Sequence, residues 1–292
     1  MVGYVPRMEL TPRYDAPDYL RFEGAFGDPS VPMLRQRRRL AETLARLDDV
    51  QWGTTSRCDG WAVQDVVAHL VDTNRFWALS ITAARSGDPT RFLTGFDPVA
   101  TPAQMVDGVR SLPPMTVLER FVESTDAMAE SVDGLDEAGW ATMGEAPPGH
   151  VPLRGVVLHA MWDAWTHERD IVLPLGLDPV EVDDEIAGCL SYAAALSPLF
   201  VVASGSTRRG AIVVETTEPD VFLVVDVGDG VVVRTDDEAG DAPTGALHLT
   251  GSAVALLEGL SYRVPLTAPV GDEHEWIFGG LAQVFDREPA SG

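Results

Sequence analysis

Apolar residues recur at helical spacing through the first 175 residues, and the pattern then changes to short β-like runs. From about Ser30 to Asp49, Met33, Leu34, Leu40, Leu44 and Leu47 mark a first helix. A second begins near Val63, buries Val66, Val67, Leu70, Trp77 and Ile81, and stops at Ser86-Gly87 before Asp88-Pro89. A third helical region runs from about Pro102 to Val132 and is interrupted at Pro113-Pro114; Val117, Leu118, Phe121, Val122 and Met128 give its second part an apolar face. After a Gly/Pro-rich connection over 133–151, a fourth helix starts near Pro152, since proline suits a first turn. It ends by Leu173-Pro174, because proline disfavours helix in the residue before it. Four helices with moderate to long connections predict a four-helix bundle.

Beyond Gly176, Asp184–Leu199 reads as a helix rich in Ala and Leu. Ala211–Glu215, Val221–Val227, Val231–Thr235 and Ala246–Thr250 read as strands, with Gly228-Asp229-Gly230 as a hairpin turn. Gly251–Leu260 and Glu273–Phe285 read as helices. The expectation is an α-plus-α+β chain: an irregular N-terminal arm over 1–29, the bundle over 30–176, and a smaller α+β domain with an antiparallel sheet over 177–292. A length of 292 residues also favours more than one domain.

Composition narrows the partners. Arginine supplies all 21 basic residues against 45 acidic ones, a net charge of −24. The region 177–292 alone holds 20 acidic residues and 5 arginines, or −15. Such a surface repels a phosphate backbone, so a nucleic-acid partner is not expected. The one dense basic run, Arg35 with Arg37, Arg38 and Arg39, reads as a solvated helix face. Cys58 and Cys189 are far apart and form no CxxC pair, which suits a reducing cytoplasm and neither a disulfide framework nor a zinc ribbon. The first twenty residues lack a signal-peptide core, and no long uninterrupted apolar run suggests a membrane partner. Nothing in the pattern sets an oligomeric state.

The chemistry concentrates in the fourth helix, GVVLHAMWDAWTHERDIVLPLG. His159, Asp163 and His167 follow one another at four-residue intervals, which stacks them along one helix face. Either adjacent pair could offer two ligands to a divalent cation. His69, on the apolar face of the second helix, could supply a third. The bland alternative is an aspartate that hydrogen-bonds an imidazole and seals the core. Trp162 and Trp165 flank this face as core or pocket wall, and Cys58 reads as a buried packing residue.

Two stretches carry a resemblance. WGTTSRCDGWAVQDVVAHL, Trp52 to Leu70, is similar to a signature of the mycothiol-dependent maleylpyruvate isomerase family, within the DinB-like superfamily. Cys58, Gly60, Trp61, Val63, Asp65, Ala68 and His69 match it in order. THERDIVLPLG resembles the second signature at His167, Asp170, Ile171, Pro174, Leu175 and Gly176. LHLTGSAVALLEGLSYR, Leu247 to Arg263, more weakly resembles that family's C-terminal, sterol-carrier-like domain. The resemblance implies a DinB-like bundle whose metal, usually zinc, is held by His69, Asp163 and His167. Asp163 departs from the family, where glutamate is usual. His159 becomes a second-shell or pocket residue, and Arg263 a contact for the substrate or thiol. Also implied are mycothiol as cofactor and a small electrophilic, carboxylate-bearing substrate for isomerisation or S-transfer. Two other readings of the same fold stay open: a non-catalytic binding protein, and a metal-dependent hydrolase without a thiol cofactor.

Overall fold

A computed structural model describes residues 12–98, 100–235 and 243–285, with side chains as far as residue 280. The elements run β1 (Leu20–Glu23), α1 (Ser30–Leu44), α2 (Asp49–Trp52), α3 (Val63–Arg85), α4 (Ala100–Val109), α5 (Pro114–Val132), α6 (Glu137–Trp140), β2 (Met143–Ala146), β3 (Gly149–Pro152), α7 (Leu153–Val172), α8 (Asp183–Ala203), β4 (Gly210–Thr217), β5 (Asp220–Val227), β6 (Val231–Thr235), β7 (Leu247–Gly251), α9 (Ala253–Leu260) and α10 (Glu275–Phe285).

The expected bundle is present. Its long helices pack in the ring α1, α5, α3, α7, each touching two neighbours. Leu40, Leu44, Val66, Leu70, Val117, Phe121, Ala164 and Ile171 fill one end. A polar layer crosses all four helices. Arg37 of α1 donates to Asn74 Oδ1 of α3 at 2.8 Å and to the Ala160 carbonyl of α7 at 3.0 Å. Asn74 in turn donates to Ser124 Oγ of α5 at 3.2 Å. Burial pushes the Arg37 guanidinium down to about 10 against the pull of Asp163.

Apart from exposed Arg38, the basic run is not a solvated face. Arg37 is buried, and Arg39 donates to Glu168 of α7 and Glu185 of α8 at 2.8 Å each. Arg35 also pairs with Glu185 and Asp184. These arginines bolt α1 to α7 and α8, a role that depends on helices more than 120 residues away in sequence.

The five-stranded sheet has the order β1-β6-β5-β4-β7 and is mixed rather than antiparallel. β4–β5 and β5–β6 are antiparallel, the latter through the expected Gly228–Gly230 turn, whereas β7 joins β4 and β1 joins β6 in parallel. Part of the expected arm thus becomes an edge strand, with Leu20 opposite Val231. Gly230 makes room for it, since a Cβ there would lie 2.3 Å from the Asp18 carbonyl oxygen. Residues 1–11 of the arm lie outside the described residues.

The α8 helix is long and apolar enough to cross a membrane, but 78% of that window is buried within the protein. It packs on α7, α9, α10 and the sheet, so one core runs from Trp77 and Trp162 of the bundle through Tyr192 and Leu199 to Val214 and Leu223. The connection over 133–151 also gains structure. It holds α6 and the β2–β3 hairpin, in which Glu145 is fully buried. Glu145 accepts from Tyr14 Oη at 2.7 Å, Thr90 Oγ1 at 2.6 Å, and the Phe92 and Leu93 N–H groups at 2.9 and 2.8 Å.

Candidate metal centre

The α3 and α7 helices pack side by side, which brings His69 to the face of α7 that carries Asp163 and His167. Asp163 Oδ1 lies 3.5 Å from His167 Nε2 and 3.9 Å from His69 Nε2. The ligand-capable atoms of the three residues all fall within 4.8 Å of one another. Two ligands each about 2.1 Å from a tetrahedral metal lie roughly 3.4 Å apart. The trio is thus close to ligand spacing, and too open for good hydrogen bonds.

Asp163 Oδ2 is buried and has no hydrogen-bond partner among the described residues. A carboxylate oxygen shut away from water and left bare is costly, unless a cation or donor completes it. Burial would raise the Asp163 carboxyl, but the imidazoles of His69, His167 and His159 outweigh it and hold it well below the usual carboxylate range. It is an anion with two imidazole nitrogens beside it and, among the described residues, no arginine in ion-pair contact. That donor set fits a divalent cation of the zinc type, for which imidazole and carboxylate are ordinary ligands.

The other ring nitrogen of His167 faces a second cluster. Nδ1 lies 3.0 Å from Asp170 Oδ2 and 3.6 Å from Cys58 Sγ, and the thiol donates to the same oxygen at 3.2 Å. Cys58, His167 and Asp170 also stand at ligand spacing. Here, however, a cation is already in place. Arg263 donates to Asp170 through Nε at 2.9 Å and Nη2 at 2.7 Å, and Arg57 Nε lies 3.6 Å away. A metal ion would face two guanidiniums, so the cation position between His69, Asp163 and His167 is the better one. Burial pushes the His167 imidazolium down, but Cys58, Asp170 and Asp163 outweigh it and hold it up at about 10.

His159 stands apart from the trio. Its Nδ1 is 2.7 Å from Tyr192 Oη, and the rings of Trp77, Trp162 and Tyr192 surround it. Burial lowers it to about 4 despite the pull of Asp163, which keeps it neutral. Trp162 donates to Ser261 Oγ at 2.8 Å, and Trp165 is buried beneath Arg169. Arg263, expected to meet substrate or thiol, spends Nε and Nη2 on Asp170; its Nη1 has no hydrogen-bond partner among the described residues.

Residues 33–172, from α1 to the end of α7, match the family described as the mycothiol maleylpyruvate isomerase N-terminal domain. The helical half of the chain is a member of that family. Two crystal structures, of the mycothiol-dependent maleylpyruvate isomerase and of a histidine-to-alanine mutant of it, are similar in fold. Each has a TM-score of 0.55 and 15% identity, and covers 84% of this chain and 94% of that chain. No curated protein matches. The bundle accordingly carries the N-terminal domain of that family, and the likeness in fold to the two crystal structures continues beyond it into the C-terminal part.

Sequence reasoning left out the parts played by Cys58 and Asp170. Both occupy signature positions, but Cys58 reads as packing and Asp170 as an anonymous match. The available signal was spacing, since Asp170 follows His167 by one helical turn.

Proposed function

We propose that the chain is a metal-dependent enzyme using a low-molecular-weight thiol, mycothiol, for isomerisation or S-transfer on a small electrophilic, carboxylate-bearing substrate. The single observation that carries the metal is the bare, buried Asp163 Oδ2 beside two imidazoles. The family and the fold support the thiol and the isomerase chemistry. His69, Asp163 and His167 would hold the ion, zinc by ligand preference. When bound, such an ion lowers the pKa of a coordinated thiol and makes the thiolate available near neutrality.

The chain's own residues then have separable work. Asp163 supplies the negative charge that attracts the ion, and Asp170 holds His167. Neutral His159, fixed by Tyr192, stands one turn away on α7. Arg263 offers Nη1 to a substrate carboxylate while keeping its grip on Asp170. Both cysteines are free and buried, which agrees with a cytoplasmic setting.

The test is metal analysis of untagged protein, followed by turnover assays with and without mycothiol. Stoichiometric zinc and thiol-dependent cis–trans isomerisation or thioether formation on an unsaturated keto acid are expected. Absence of metal, with unchanged melting after chelation, refutes the metal reading. Metal present with thiol-independent hydrolysis refutes the thiol.

A further inference from the structure

His167 is held from behind by a chain of contacts that begins in the C-terminal part of the molecule. Asp170, fully buried on α7, receives the imidazole Nδ1 at 3.0 Å, the Cys58 thiol at 3.2 Å and two nitrogens of Arg263. Arg263 follows α9, past the left-handed residue Tyr262, whose φ is +56°. The same helix is anchored through Glu258, which accepts from Arg57 at 3.0 and 2.7 Å and from Arg169 at 2.8 Å. Arg57 neighbours Cys58, and Arg169 neighbours Asp170, so the α9 corner is tied on both sides of the contact with His167.

A carboxylate that accepts Nδ1–H leaves Nε2 as the nitrogen with the free lone pair, and it raises that nitrogen's basicity. In this structure Nε2 is the nitrogen turned toward Asp163. Asp170 is also fixed in rotamer, because Arg263 engages both of its oxygens. Resting on the reading of His69, Asp163 and His167 as a metal centre, we infer that Asp170 is a positioning residue that presents Nε2 of His167 to the ion, and that Arg263 carries this control from the α9 corner. The C-terminal part thereby sets metal affinity and does more than cover the bundle. Nothing in the family match, which ends at residue 172, bears on Arg263.

Zinc affinity of the full chain, measured by competition with a chelator of known strength, tests this. Asp170→Asn should weaken binding about tenfold to a hundredfold, the usual effect of losing a carboxylate behind a ligand histidine. That variant leaves Arg263 buried without its counter-ion and will melt early. The double variant Asp170→Asn/Arg263→Gln removes both charges; it should recover melting temperature but not zinc affinity. A purely structural ion pair would show recovery of both. Long-range proton–nitrogen spectra of the zinc-loaded wild type should show His167 protonated at Nδ1, and protonation at Nε2 would overturn the inference. Asp163→Ala separates the two levels of the argument. If it loses zinc while both Asp170 variants bind within about threefold of wild type, Asp170 has no positioning role and the metal centre stands. If wild type and Asp163→Ala both fail to bind, the metal centre itself is wrong. Should Asp170→Asn not fold, the double variant decides.

Discussion

Glu145 and Asp163 are both carboxylates drawn into the protein interior, and they differ in what meets them. Glu145 takes four donors, from Tyr14, Thr90, Phe92 and Leu93, all within 2.9 Å. It fastens the N-terminal arm and the loop before α4 to the β2–β3 hairpin, and its hydrogen-bonding demand is met. Asp163 has two imidazole nitrogens at 3.5 and 3.9 Å from one oxygen, and its other oxygen has no hydrogen-bond partner among the described residues. Removing a carboxylate from water without donors costs several kcal/mol. That the same fold satisfies Glu145 so fully and leaves Asp163 this way supports the proposal that Asp163 meets something not supplied by the chain. The satisfied carboxylate is architecture, and the unsatisfied one is the proposed site.

The strongest way to break this contrast is to truncate each in turn. Asp163→Ala should weaken zinc binding by more than about a hundredfold, beyond what loss of a supporting residue causes. Its melting temperature without zinc should fall only slightly, because the loss of the charge that the imidazoles stabilise is offset by removal of the bare oxygen. Glu145→Ala should do the reverse. It strands two backbone N–H groups and two hydroxyls, at a cost of about 3–5 kcal/mol. Thermal melting would show that as a fall of roughly 10 °C, with zinc affinity unchanged. Equal melting losses for the two variants would abolish the distinction. A smaller effect sharpens it. Asp163→Glu restores the side chain usual in the family, and zinc affinity within about tenfold of wild type is expected, since the oxygen ligand is kept. Loss of binding as complete as in Asp163→Ala would show that the backbone has adjusted to the shorter acid.

The contrast also explains what the sequence could convey. Long periodic segments such as 63–85 and 153–172 announced their helices, and Gly228-Asp229-Gly230 its turn, because those signals are local. The trio His69, Asp163 and His167 was legible from helical spacing together with two signatures. Leu20–Glu23 is too short to show a period, and its partner strand begins at Val231. The Gly/Pro-rich stretch around Glu145 reads as loop, because the donors to that carboxylate come from residues 14 and 90–93. Arg37 and Arg39 look exposed for the same reason: their partners Asn74, Ala160, Glu168 and Glu185 are assembled only by packing. Satisfaction of a buried charge is a tertiary property. Neither carboxylate's condition could be read from its neighbours in sequence.

The mildest test concerns the hydrogen bond from Tyr14 to Glu145. Burial raises the Tyr14 phenol to about 12; the contact from Thr94 opposes this, and Glu145 adds to it. A group that holds its proton more tightly when folded stabilises the fold fully below its ordinary pKa of about 10. That contribution fades as pH climbs from about 10 to about 12, because the unfolded chain loses the proton first. The difference in stability between wild type and Tyr14→Phe should therefore be flat up to about pH 10 and shrink above it. Tyr14 is only half-buried, so solvent screening keeps the change small. Taking the difference cancels the other tyrosines, including buried Tyr19 and Tyr192. A difference that begins to shrink well below pH 9 would place the titrating group away from Tyr14, and Glu145 would then lose its claim to hold the arm through that phenol.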